Sequence, residues 1–272
     1  MPVRNTALRP AVRRLLASVS CAGFLLAGCS GAPWSGAGTL SATPSHPPAP
    51  QGHAGPPQGH AGPEAQSGRA AGDKHPLGIH GIGPATRARI PDTTRQVLVV
   101  TGEGKDANTG SVVLHQRGAN GTWGAVGGPW PAHNAMKGWT HDHRADDQRS
   151  PIGVFGLRDS GGRLPDPGTK LPYSQDKEFA DSGTGFLGES LEGSFEYVIA
   201  IDYNRVPGAS PLDKRRPLGE GKGGGIWLHV DHGGPTRACV SLPLDDMREL
   251  LLLLDPKLRP VVVMGDKKSL TR

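Results

Sequence analysis

The chain has 272 residues, with 41 glycines, 26 prolines and only 5% aromatic residues, a composition that excludes even packing along its whole length. One ordinary domain beside a long unstructured part is expected instead. The formal net charge is +5, but residues 1–28 hold Arg4, Arg9, Arg13 and Arg14 and no acidic residue, so the remainder carries only +1 and charge gives no argument for a nucleic-acid partner.

In chain order, residues 1–28 read as an export signal. A basic start is followed by an apolar run, Leu15 to Leu26, too short for a lasting membrane span, and then by small residues. Leu26-Ala27-Gly28-Cys29 resembles a bacterial lipobox. That resemblance implies lipid on the Cys29 sulfur and a mature chain anchored to the outer face of the cytoplasmic membrane. Arg13-Arg14 adds a weak hint of twin-arginine export. Residues 29–90 form a disordered linker rich in Pro, Gly and His, in which Gln51-Gly52-His53-Ala54-Gly55-Pro56 returns as Gln58-Gly59-His60-Ala61-Gly62-Pro63. A flexible coil of that length has an end-to-end distance of about 40–45 Å, which suits a tether. His46, His53, His60 and His75, spread among prolines, read as polar linker residues and not as a metal site.

Residues 91–272 form the folded domain. Strands are expected over Gln96–Thr101, Ser111–Gln116, Ile152–Leu157, Phe195–Ile201, Ile226–Val230 and Pro260–Met264, with Asn120-Gly121 as a tight turn. One late helix is expected, because Met247, Leu250, Leu251 and Leu254 recur at helical spacing behind Asp245 and Asp246, and Asp255-Pro256 stops it. The segment Ser160–Ser194 has little strand pattern; loops of that length in compact domains are usually functional. The fold class is mostly β.

The chemistry concentrates between Gly223 and Ser241. Cys21 leaves with the leader and Cys29 takes lipid, so Cys239 has no partner for a disulfide, and an unpaired thiol in an oxidising compartment is a liability unless buried or used. His229 closes the apolar run Ile226-Trp227-Leu228, and a Gly233-Gly234-Pro235 turn separates it from Cys239. Such a turn can bring imidazole and thiol together. The thiolate is the reactive species and is scarce at neutral pH, so a neighbouring base makes the cysteine a nucleophile. His232 competes with His229 for that role.

Taken together, Gln96 to Thr101, Arg149-Ser150-Pro151-Ile152-Gly153-Val154-Phe155, Leu171-Pro172-Tyr173, Ile201-Asp202-Tyr203-Asn204, Ile226-Trp227-Leu228-His229 and Pro235-Thr236-Arg237-Ala238-Cys239-Val240, followed by the Leu-rich helix, resemble the L,D-transpeptidase catalytic domain (YkuD-type). The resemblance covers nearly all of residues 94–266 and implies a β-sandwich-like domain acting on peptidoglycan stem peptides without a cofactor or metal. It makes Cys239 the nucleophile that displaces a terminal D-alanine and forms a thioester, and His229 the general base. An amine of a second stem, water or a free D-amino acid then takes the acyl group. Backbone N–H groups at Ala238 and Cys239 would hold the oxyanion, Thr236 would orient the turn, and Arg237, Tyr203 and His232 would meet substrate. The family usually has glycine where this chain has Ala238. If that position required a left-handed backbone, the Cβ would cost about 1–2 kcal/mol.

Two other classes fit parts of the chain. His141-Asp142-His143 with Asp146 and Asp147 offers ligands for a metal-dependent peptidase, although no third ligand stands at a known spacing. A binding lipoprotein that keeps the cleft without the chemistry is the other. No heptad seam or large apolar stripe argues for an oligomer, so a monomer is expected.

Overall fold

A computed structural model describes residues 78–272. The expected export signal, the lipidation site Cys29 and the histidines at 46, 53, 60 and 75 lie outside the described residues.

The chain packs earlier than the expected boundary at residue 91. Ile79 and Ile82 are buried, and a four-residue turn of helix, α1 (Pro84–Arg87), follows them. The N–H groups of Gly83 and Ala85 donate to the carbonyls of Leu270 and Arg272, tying this segment to the end of the chain. Glycine-rich composition makes residues 78–90 read as linker, but the isoleucines fill a groove that only the folded sheet provides.

Strand β1 (Gln96–Gly102) pairs antiparallel with β2 (Thr109–Arg117), and β2 with β3 (Trp123–His133). Asn120-Gly121 makes the turn between β2 and β3: Gly121 has φ 82°, and the Asn120 Oδ1 accepts from the Thr122 N–H. A small separate pair, β4 (Trp139–Thr140) and β5 (Ser150–Pro151), precedes the long β6 (Gly153–Gly162), with β7 (Tyr173–Gln175) beside its last residues. Then come β8 (Val198–Ile201), β9 (Trp227–Val230), β10 (Val240–Leu242), the helix α2 (Leu244–Leu253), β11 (Val261–Asp266) and the short α3 (Lys267–Leu270).

The sheet runs β11-β1-β2-β3-β10-β9-β8-β6-β7, and β11 also pairs antiparallel with β6. Eight strands therefore close into a barrel-like ring, which corrects the expected β-sandwich-like arrangement. The reason lies in β11, which offers both edges: one pairs parallel with β1 and the other antiparallel with the first half of β6. Both of its faces are apolar because each packs against a core. Val262 and Met264 join Leu98, Val100, Val112 and Leu114 in the main core, which also takes Met247, Leu250 and Leu251 from α2. Val261 and Val263 point the other way, against Val97, Val99, Ile79, Ile82 and Leu270.

Helix α2 forms where the leucine spacing predicts it. Its end is closed by a buried side chain: Gln96 Nε2 donates to the Leu253 carbonyl at 2.9 Å, and the Asp255 N–H donates back to Gln96 Oε1 at 2.9 Å. Two otherwise unpaired backbone groups at the helix end are thereby satisfied. Since α2 follows β10 directly, this anchoring also holds the strand that starts one residue after Cys239.

Candidate active site

Strands β9 and β10 run parallel, with Val240 opposite Leu228 and Ser241 opposite His229. Carrying that register back one residue sets Cys239 beside Trp227. His229 lies two residues further along β9, and alternation keeps it on the same face as Trp227. The turn at Gly233-Gly234-Pro235 makes this possible: Gly233 has φ 81°, a region costly for residues with a Cβ. Cys239 and His229 both line a cavity of about 160 Å³.

The thiol is recessed. The Trp227 N–H donates to Cys239 Sγ at 3.4 Å, and the sulfur lies 3.8 Å from the Gly225 carbonyl. Burial pushes the Cys239 thiol up to about 11, against the opposing pull of the Trp227 N–H. His229 is almost fully buried, and burial pushes its imidazole down to about 4. Its Nδ1 is 2.8 Å from the Val230 carbonyl. A carbonyl can only accept, so Nδ1 carries the proton and Nε2 is the unprotonated nitrogen of the neutral ring. At neutral pH the site therefore holds a neutral thiol and a neutral imidazole. The two do not form a thiolate–imidazolium pair.

Thr236, also buried, donates from Oγ1 to the Cys239 carbonyl at 2.7 Å, and Ser150 Oγ, on β5, donates to the same oxygen at 3.3 Å. Main-chain bonds hold Thr236 on both sides, its N–H to the Asn134 carbonyl and its own carbonyl to the Met136 N–H. This fixes the peptide that follows Cys239. Ala238 is not among the residues with positive φ, so its Cβ brings no left-handed strain. The N–H groups of Ala238 and Cys239 donate to no backbone carbonyl among the described residues.

The remaining expected residues divide. Arg237 is exposed, forms no ion pair among the described residues, and has its guanidinium carbon 5.9 Å from the centre of the Phe186 ring. It stands where the first cavity meets a second one of about 580 Å³, which also reaches Cys239. Tyr203 lines neither of these two cavities. Its hydroxyl lies 2.9 Å from the Lys222 carbonyl and 3.2 Å from the His143 carbonyl, behind the larger cavity, which His143 lines and Tyr203 does not. His232 lines the smaller cavity with its ring stacked on that of His229, centroids 5.8 Å apart and planes 11° from parallel. His232 Nδ1 is 3.2 Å from Glu189 Oε1, close enough for an ion pair but not aligned for a hydrogen bond.

Residue-type patterns leave three contributors unseen. Trp227 acts through its backbone, Ser150 through an oxygen brought in by β5, and Glu189 from within the long segment before β8. Only the length of that segment signals its importance. His141 and His143, the basis of the metal reading, separate: His141 is exposed, whereas His143 is buried with Nδ1 3.0 Å from Asp147 Oδ1. Among the described residues, no three His, Cys, Asp or Glu side chains converge as metal ligands.

Comparison with known proteins finds no matching family model, no matching curated protein and no matching solved structure.

Proposed function

We propose that the domain is a cysteine acyltransferase of the L,D-transpeptidase type that acts on peptidoglycan stem peptides. The observation that carries this reading is a recessed thiol that shares one cavity with a neutral imidazole protonated on Nδ1, and that also lines a second, larger cavity. His229 Nε2 takes the proton as Cys239 Sγ attacks the peptide carbonyl, and the N–H groups of Ala238 and Cys239 receive the developing oxyanion. Collapse breaks the C–N bond, His229 returns the proton to the departing D-alanine amine, and a thioester remains on Cys239. An acceptor amine entering from the other cavity gives up a proton to His229, attacks the thioester and restores the thiol. Two cavities at one sulfur suit a reaction with two peptide substrates better than simple hydrolysis.

In this account Arg237, which forms no ion pair among the described residues, meets a substrate carboxylate, Thr236 positions the Cys239 peptide, and no cofactor takes part. Lipid on Cys29 and a tether before the domain would hold the enzyme at the outer face of the membrane. The rival reading as a binder without catalysis rests on Ala238, and an unstrained Ala238 weakens it. The test is turnover of a tetrapeptide stem with an amine acceptor. The expected result is release of D-alanine and a cross-linked product, both lost in Cys239→Ala and unaffected by a chelator. Peptide binding without release in the parent protein would favour the binder, and loss of turnover with chelator would favour the metal peptidase.

A further inference from the structure

The cavity holding Cys239 and His229 has one wall from the sheet and the other from a segment of the loop between β7 and β8. Within that segment Gly183 to Leu191 folds back on itself: the Leu191 N–H donates to the Gly183 carbonyl, and the Gly185 N–H to the Glu189 carbonyl. Phe186 and Leu187 stand exposed at its tip. Glu189 points inward instead. One carboxylate oxygen accepts from the Leu187 N–H at 2.7 Å, and the other is buried 3.2 Å from His232 Nδ1 with no hydrogen-bond donor.

We infer that Glu189 is a positioning residue: it latches the 183–191 hairpin onto His232, and His232, stacked on His229, holds the base against Cys239. This rests on the acyltransferase reading for the role of His229, but the latch itself rests on packing alone. The carboxylate sits between two glycines, Gly185 on its own hairpin and Gly234 on the connection between His229 and Cys239. A Cβ on either would overlap Glu189 Oε1. Gly234 has no left-handed backbone to preserve, so its lack of a side chain is explained by the room Glu189 needs. Among the described residues, this carboxylate is the one acidic group paired with the buried His232 Nδ1. When the hairpin lifts, His232 loses its charged partner and the ring beneath His229 is free to turn. Substrate entry and alignment of the base are coupled through one contact.

A double-mutant cycle on the full chain tests this, with Glu189→Gln, Gly234→Ala and the pair. Two rates are measured for each: acylation of Cys239 by a carbapenem, and alkylation of Cys239 by a bulky maleimide. Thermal melting confirms that each variant is folded. Each single change should slow acylation about tenfold and speed maleimide labelling about tenfold, because the hairpin opens more often while the base is less well held. The pair should be no worse than either alone, since both remove one contact. Unchanged labelling and acylation in Glu189→Gln, or fully additive losses in the pair, would overturn the latch. Should the parent protein resist the carbapenem while the labelling rates still change as expected, the latch stands and the acyltransferase reading falls.

Discussion

His229 and Cys239 are each shifted toward the neutral form by burial, and this makes the pH behaviour of the site specific. With the thiol near 11, the thiolate fraction between pH 6 and pH 9 rises about tenfold per unit, so alkylation of Cys239 by iodoacetamide should climb steadily across that range. A plateau above about pH 5 would instead reveal a thiolate–imidazolium pair and contradict the neutral site. The same burial links His229 to stability. Its folded value near 4 lies below the unfolded 6.5, so the unfolded chain binds the proton more readily as the solution is acidified. The stabilisation is complete above pH 6.5 and is lost as pH falls through 4, a difference of about 3 kcal/mol. His229→Gln should melt with a visibly flatter dependence on pH between 6.5 and 4; an unchanged profile would mean that the ring is not held neutral. Ala238 belongs at this scale too. Because its backbone is not left-handed, Ala238→Gly should give no gain in acylation and a small loss of stability, about 0.5–1 kcal/mol, measured by denaturant unfolding.

The site depends on three short pieces of backbone being in register: the end of β9, the turn at Gly233-Gly234-Pro235, and the start of β10. Thr236 ties the turn to the residue before β10 through its 2.7 Å bond to the Cys239 carbonyl. Thr236→Val removes a bond of about 1–1.5 kcal/mol and should slow acylation by a carbapenem about five- to tenfold. Ser150→Ala loses a contact of 3.3 Å to the same oxygen, together with the 3.1 Å bond from the Ala135 N–H, and should slow acylation less than Thr236→Val while also costing stability. Equal effects would show that the carbonyl is held by something else. Much of this element-level picture is readable in the chain itself. The apolar run ending in His229, the Gly-Gly-Pro turn and the leucine spacing of α2 each carry a local physical signal. By contrast, β10 is only Val240–Leu242 and β3 carries Gly127, Gly128, Pro129 and Pro131, which read as loop. These strands exist because the sheet supplies their partners, not because of their own propensity. Glu189 is invisible for the same reason: its partner His232 is 43 residues away and reaches it only through the fold.

At the scale of the molecule, closure of the ring is the feature least legible beforehand. A run such as Val261-Val262-Val263-Met264 announces a strand buried on both faces, but not that β11 will pair with β1 on one side and β6 on the other. That double pairing turns an expected sandwich into a closed sheet, in which β9 and β10 lie side by side and two cavities share the Cys239 thiol in their linings. Behind the larger cavity, Arg205 is buried between Asp159 at 2.7 Å and Asp202 at 2.6 Å and anchors the segment after β8 that forms its wall. Arg205→Ala leaves two buried carboxylates without their cation and should cost about 3–5 kcal/mol by denaturant unfolding; a loss under about 1 kcal/mol would show the wall is held otherwise. The account as a whole stands on one thiol, one base and one pair of backbone donors acting together, and the most direct measurement is the intact mass of the protein after incubation with a carbapenem, alongside Cys239→Ala. The account predicts a covalent adduct of one carbapenem per chain, absent from the variant. No adduct, with Cys239 still open to iodoacetamide, would mean an accessible cysteine without acylation machinery and would contradict it.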